Sequence, residues 1–325
     1  MWLEWLEGFD WAGSSAEVQD RYEDGSWILQ VGAGRGGGNC ANDPDYTYYV
    51  FSSDGQTEVL MGVAYRPAAL IASNILEWRK LAQAQLAIAL TIEGRLTFKR
   101  GSTVIDTSAL TMTADDWHFI DVQFKIDNAV GLYNVWVDGI LWMEATGVDT
   151  EQFTGGIGNV KWPTHNAKWD DMHLYLGAGA SNATRVGDSK VPAVLVNAAG
   201  DDAQWSPSAG ANYENVDDPI ADEDATYNQD GVIGQRDLYN FADLAAFTGS
   251  IKGVEVLGRF RKTDVGDKQA KIACKSGGTV YYGGNVAILD TYALFHKAWE
   301  VDPFTSAEWT RTSFNAAQFG AEVVL

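Results

Sequence analysis

The chain has 325 residues, 46% of them hydrophobic, and a formal charge of −21 from 23 basic and 44 acidic side chains. That is length enough for two domains that each bury a core, and the acidity argues against nucleic acid or an anionic membrane as a partner. Two cysteines, Cys40 and Cys274, are too few for a disulfide framework, so a reducing site of folding is expected. The opening MWLEWLEGFDW lacks the basic start and unbroken apolar run of a signal peptide, and no stretch has the length of a membrane span.

From the N-terminus, Glu4, Glu7 and Asp10 recur at a spacing of three, which on a strand scatters them to both faces. The run Gly32-Ala33-Gly34-Arg35-Gly36-Gly37-Gly38 has the glycines of a phosphate cradle but neither the Lys-Ser/Thr ending nor a following helix, so it reads as a tight loop. Residues 73–84 suit a short helix and a strand entrance equally. Leu86, Ile88, Leu90 and Ile92 then alternate with small or polar residues, Glu93-Gly94 supplies a turn, and Leu96 and Phe98 continue on a second strand. The clearest signal is at residues 117–143. Ile120, Val122, Phe124 and Ile126 share one face and Asp121, Gln123, Lys125 and Asp127 the other; Tyr133, Val135 and Val137 repeat the pattern up to the hairpin dipeptide Asp138-Gly139, from which Ile140 and Trp142 return. Residues 168–176 read as a closing strand. The adjacent acids Asp115-Asp116 and Asp170-Asp171 are each expected to divide across the pleat. The fold class is all-β.

A domain boundary is expected near residues 177–187, in the small, polar segment LGAGASNATRVGD, which makes 1–178 the first domain and 179–325 the second. The second half opens with a strand-like stretch at 190–196. A long irregular acidic region follows at 197–229, and a structureless loop of that length is expected to be functional or pinned by neighbours. Leu238, Phe241 and Leu244 behind Asp237 suggest one helical turn within 237–247. Strands are expected at 253–260, 268–275, 286–289 and 319–325. There is no internal repeat.

Catalytic patterns are missing. No strand carries the Glu-x-Asp-x-Glu or Glu-x-Asp-x-x-Glu run that would converge two carboxylates on a glycosidic bond. The four histidines, His118, His165, His173 and His296, have no metal-ligand spacing, and there is no Gly-x-Ser-x-Gly elbow. The chain is therefore expected not to be an enzyme and to need no cofactor. Calcium is the one ion with a conceivable seat, at Asp217, Asp218, Asp222, Glu223 and Asp224, although the spacing fails the EF-hand pattern and a solvated acidic loop is the plainer reading. Of the 13 tryptophans, Trp117, Trp136, Trp142 and Trp162 lie in strand patterns and read as core or interface fillers, whereas Trp205, Trp299 and Trp309 lie in or near loops and are better placed for exposed contacts such as sugar stacking.

Several motifs in order resemble the concanavalin A-like, laminin-G-like jelly-roll domains of tailed bacteriophages. They are Leu6-Glu7-Gly8-Phe9-Asp10, Gly34-Arg35-Gly36-Gly37, Gly62-Val63-Ala64-Tyr65-Arg66, the hairpin from Trp117-His118-Phe119 to Val137-Asp138-Gly139, and Lys168-Trp169-Asp170-Asp171-Met172-His173-Leu174-Tyr175. The second half resembles a module that follows such domains in phage proteins, through Gly187-Asp188, Trp205-Ser206-Pro207-Ser208, residues 212–219, Asp224-Ala225-Thr226-Tyr227, Asp302-Pro303-Phe304-Thr305 and Glu308-Trp309-Thr310. The resemblance implies a jelly-roll sandwich, its two ends brought onto neighbouring strands, followed by a smaller mainly-β domain. It implies a virion structural protein assembled in the host cytoplasm, of the tail, baseplate or fibre apparatus, with capsid decoration or host-glycan binding as alternatives. The implied partners are other virion proteins and further copies of the chain. No catalytic or metal residue carries over. The acidic loop is the expected interface: Trp205 and Tyr213 as apolar anchors, with Asp217, Asp218, Asp222, Glu223 and Asp224 pairing with cations on a neighbour. The competing expectation is a loop folded back on its own domain.

Overall fold

The computed structural model describes residues 2–22, 27–42, 47–163, 166–177 and 185–325. Period-two alternation becomes strand nearly everywhere it was read. The strands of the first part are β1 (Trp2–Glu7), β2 (Ile28–Gln30), β3 (Cys40–Asn42), β4 (Thr47–Val50), β5 (Glu58–Pro67), β6 (Ser73–Lys80), β7 (Gln83–Leu90), β8 (Arg95–Arg100), β9 (Thr103–Thr111), β10 (His118–Lys125), β11 (Gly131–Val137), β12 (Ile140–Val148), β13 (Asn159–Trp162) and β14 (Ala167–Leu176). Residues 73–84 resolve as strand: β6 turns through Leu81, at φ 53°, directly into β7. The Asp138-Gly139 hairpin is present, with φ of 51° and 85°, the left-handed pair that a two-residue turn demands.

These strands form two antiparallel sheets. One has eight strands, in the order β12-β11-β10-β5-β14-β3-β2, with β1 also on β14; the other has six, β4-β13-β6-β7-β8-β9. Apolar side chains of both sheets share one core, where Trp78 of β6 meets Phe124 of β10 edge-on at 4.9 Å and Phe98 of β8 stacks on Tyr133 of β11 at 4.2 Å. The result is a β-sandwich. Trp5, Tyr22, Trp27, Tyr49 and Trp162 close one end of it as an aromatic cluster. Strand β1 lies beside β14, Glu7 opposite Met172, so the beginning and end of the sandwich are neighbours.

The chain divides into the units Met1–Pro192 and Ala193–Leu325. The division falls after the segment at which the sequence placed it, because residues 185–191 are tied to the sandwich. Arg185 Nε donates to Asp121 at 2.9 Å, Ser189 Oγ lies 3.0 Å from His173 Nδ1, and Val191 N donates to Asp171 at 2.8 Å. The middle of the expected linker, 178–184, lies outside the described residues, as does His165.

The second unit is mainly β. It comprises β15 (Val196–Ala203), β16 (Ser206–Pro207), β17 (Asn228–Gln229), β18 (Arg236–Phe241), β19 (Val254–Phe260), β20 (Gln269–Ser276), β21 (Thr279–Tyr282), β22 (Val286–Ala287), β23 (Ala293–Trp299) and β24 (Gln318–Val323). A sheet in the order β15-β18-β24-β20-β21, with β22 also on β20, and the pairs β16-β17 and β19-β23 enclose a core around Phe319, Trp299, Trp309 and Phe314. Two sequence expectations need correction here. Strand begins at Val196 instead of 190, and 197–203, read as irregular, is β15. The helical turn expected behind Asp237 is strand β18; its carboxylate, fully buried, accepts from Gln204 N, Trp205 N, Asn212 Nδ2 and Tyr239 Oη, a far better set of partners than one helix cap offers.

Candidate functional site

Alternation gives each sheet an outer face, and the two are treated very differently. On the six-stranded sheet, Tyr49, Val160, Trp78, Leu86 and Phe98 point into the core. Their sequence neighbours Tyr48, Lys161, Glu77, Ala87 and Lys99 stand opposite one another, strand by strand, on the outside. Ala87 and Ala89 make a floor of small side chains. Over it runs a chain of polar contacts: Lys99 Nζ donates to Asn74 Oδ1 at 2.8 Å, Asn74 Nδ2 donates to Glu77 Oε1 at 2.8 Å, Glu77 Oε2 faces Arg79 Nε at 3.7 Å, and Arg79 donates to the Tyr48 hydroxyl. Arg79 also donates to the Ala82 carbonyl, and its guanidinium lies 5.1 Å from the Tyr48 ring centre. The Lys161 ammonium lies 5.3 Å from the same centre. These groups are held in place before any ligand arrives, which lowers the ordering cost of binding. Among the described residues Glu77 is the only carboxylate in the chain of contacts.

The outer face of the eight-stranded sheet is covered. Asp121, Gly62 and His173 lie side by side on β10, β5 and β14, and Asp121 and His173 are buried beneath the 185–191 strap. Gly62 makes the row possible, since a Cβ there would sit 2.1 Å from His173 Cε1. Arg185 joins Asp121 and lays its guanidinium 5.3 Å from the Trp136 ring centre, which is what the outward face of Trp136 meets.

At the end of this row Asp170 and Asp171 do not divide across the pleat as alternation suggested. A bulge in β14 between Asp170 and His173, with Asp171 at φ 48°, lets both carboxylates meet Arg35. Asp170 accepts from Arg35 N and Asp171 N, both at 2.8 Å, and Asp171 Oδ2 lies 3.6 Å from Arg35 Nη1. Burial pushes the Asp170 carboxyl up to about 7, with the charge of Asp171 adding to the effect; burial also raises Asp171 and Asp10. The glycine run is the tight loop expected of it. A Cβ on Gly34 would lie 2.8 Å from Asp170 Oδ2, and one on Gly38 2.2 Å from Asp10 Oδ1, so glycine lets the loop backbone reach both acids.

The predicted interface residues are spread along a loop held within its own unit. Trp205 is half-buried and donates through Nε1 to the Gln235 carbonyl at 3.1 Å. Tyr213 sits on a short 3-10 turn, Asn212–Asn215, with its hydroxyl on Glu214. Glu223 pairs with Arg259 at 2.7 Å, and Asp224 with Arg261 at 2.6 Å and the Tyr292 hydroxyl at 3.1 Å, so the cations envisaged on a neighbour are supplied by the same chain. Asp222 accepts from Thr226, while burial raises the Asp218 carboxyl, with the charges of Asp222 and Asp217 adding to the effect. No group of three or more His, Cys, Asp or Glu side chains among the described residues could hold a metal ion. Trp299 and Trp309 are core residues, 8% and 2% exposed, and Trp309 Nε1 donates to the Trp299 carbonyl; proximity to loops was a poor guide to exposure. Trp162 is a core filler as expected, while Trp117, Trp136 and Trp142 are half-buried. None of the outer-face residues Tyr48, Asn74, Glu77, Lys99 and Lys161 was singled out from sequence, because they sit on different strands and only the register assembles them.

No protein-family model matches the chain, and no curated protein matches it. Among solved structures, it is similar to an endo-β-1,4-glucuronan lyase from the fungus Trichoderma reesei, at 14% identity and a TM-score of 0.35 over 46% of this chain and 79% of that one. It is similar to domain 4 of AbnA, an extracellular arabinanase from Geobacillus stearothermophilus solved with arabinotriose, at 15% identity and a TM-score of 0.35 over 56% of this chain and 95% of that one. A sialidase aligns at 11% identity and a TM-score of 0.40 over 53% of this chain but spans only 18% of the sialidase.

Proposed function

We propose that the chain is a non-enzymatic structural protein of a tailed-bacteriophage particle, of the tail, baseplate or fibre apparatus, whose sandwich serves as a recognition module for a polar ligand, a host surface glycan. The observation that carries the recognition half is the series Lys99, Asn74, Glu77, Arg79, Tyr48, linked by hydrogen bonds and one ion pair across the six-stranded sheet. A flat, prearranged row of donors and acceptors on a rigid sheet suits a polymer rich in hydroxyls. The non-enzymatic half is supported by the carboxylates. Glycoside hydrolysis needs two carboxyl groups facing each other across a bond, whereas this row offers Glu77 alone. The acids that do come together, Asp170 and Asp171, are occupied by Arg35 and the strap.

The virion half rests on the order of the sequence motifs, and several motifs of the first unit are joined by direct contacts. Asp10 accepts from Asn39 N, Arg35 N donates to Asp170, and the Tyr65 and Trp169 rings lie 4.6 Å apart. The test is to incubate purified protein with host surface polysaccharide and measure both retention and release of reducing ends, alongside mass spectrometry of purified particles. Binding without release, and the chain present in particles, is the expected outcome. Release that is lost on changing a single Asp or Glu would overturn the non-enzymatic reading, and absence from particles would overturn the virion reading.

A further inference from the structure

We propose that the ligand of the six-stranded sheet's outer face is an acidic polysaccharide bearing carboxylates; this rests on reading that face as the recognition surface. The whole chain carries −21, which should repel a polyanion. Yet among the described residues the row across this sheet holds the part-exposed Lys161 and Lys99 and the buried Arg79 against one carboxylate, that of Glu77. Arg95 adds a further cation on β8 at an alternate position to Lys99, on the same side of the strand. With a Debye length of about 8 Å at physiological salt, a ligand lying on the face feels these neighbours and little of the distant acidity.

The arrangement also disfavours the usual alternative, a neutral sugar stacked on an aromatic ring. Among the described residues Tyr48 is the one aromatic side chain of the row, and its ring is engaged by the Arg79 guanidinium and the Lys161 ammonium at 5.1 and 5.3 Å. Trp78 and Trp162, which could have offered platforms, point into the core. What remains is ionic and hydrogen-bonding recognition. Lys161 and Lys99 lie on strands three spacings apart, roughly 14 Å, and between them stand the Asn74 amide and the Glu77 carboxylate above the Ala87 floor. Cations at both ends with hydrogen-bonding groups between fit a polymer with spaced carboxylates and hydroxyls in the interval.

The experiment measures equilibrium binding of the full chain to alginate, to carboxyl-reduced alginate and to neutral dextran. The expected result is binding to alginate that weakens as salt is raised from roughly 0.05 to 0.5 M, with roughly tenfold loss in each of Lys99→Ala and Lys161→Ala at unchanged melting temperature. Lys252→Ala, a part-exposed lysine of the second unit paired with Glu308, is expected to leave binding unchanged. Equal binding of the carboxyl-reduced or neutral polymer, lost in Lys99→Ala, would overturn the charge proposal while leaving the recognition surface standing. Alginate binding indifferent to both lysines, or no alginate binding at all, would overturn the proposal; in the latter case retention on host polysaccharide separately decides the fate of the recognition reading.

Discussion

The two outer faces of the sandwich obey the same alternation and differ in how much of their polar surface is covered. On the eight-stranded sheet, polar residues Asp121, His173, Asp170 and Asp171 are buried because the strap and the glycine loop lie over them. On the six-stranded sheet, Glu77, Lys99 and Lys161 hold partly exposed positions and bond along the surface. A polar outward face is therefore no assurance of solvent. What decides it is whether a distant segment brings matching partners, here a guanidinium for Asp121 and backbone N–H groups for Asp170 and Asp171.

The comparison breaks most visibly if the cover is cut. Arg185→Ala in the full chain is expected to lower stability by about 3 kcal/mol, the lower end of the range for stripping one partner from a buried charge, because Asp121 is fully buried while Arg185 keeps some exposure. Denaturant unfolding followed by tryptophan fluorescence reads it. A loss as small as that of a surface substitution would mean the strap does not cover this face in solution. Gly62→Ala attacks the same row from below and is expected to cost about 1–3 kcal/mol by overpacking against the His173 ring.

Acid should act on the covered face with a distinctive sign. Asp170 stands at about 7 in the fold against an ordinary carboxyl in the unfolded chain, so its protonated form is the one folding favours. Its contribution is fully present below the unfolded value near 3.8 and is lost as pH climbs towards 7. The sandwich is expected to gain stability between pH 7 and 5. Relief of the overall negative charge pushes the same way, so the informative quantity is the slope difference between wild type and Asp170→Asn, which should be flatter. Identical slopes would remove Asp170 from the account. In the second unit Glu322, paired with Arg236 and Lys271, is held below its usual range, mainly by the Lys271 partner against the opposing effect of burial. Its contribution is present above the unfolded value near 4.5 and is lost as pH falls through the lowered one.

How much of this was legible beforehand follows the range of the forces. Local signals carried the Asp138-Gly139 turn and the core side of β10 and β11, since alternation and turn chemistry act within a few residues, whereas the β1–β14 closure was legible only through the family resemblance. Where a residue's partner is far along the chain, reading failed. Asp171 was assigned by pleat parity and escaped it through a bulge beside a loop more than a hundred residues earlier. Asp237 looked like a cap and is the buried hub of the acidic loop. Glu223 and Asp224, for which sequence left open a neighbour or the loop's own domain, pair with Arg259 and Arg261 of the same chain. The open polar row was invisible because five strands contribute to it.

The smallest effect on stability and the largest on function should coincide on the open face. Lys99→Ala removes a part-exposed contact to Asn74 and is expected to change stability by less than about 0.5 kcal/mol. The most direct measurement is therefore retention of the full chain on host surface polysaccharide, comparing Lys99→Ala with Gly62→Ala at a temperature where both are folded. The account predicts that Lys99→Ala loses retention while Gly62→Ala, on the covered face, keeps it. Retention kept by Lys99→Ala and lost by Gly62→Ala would contradict it.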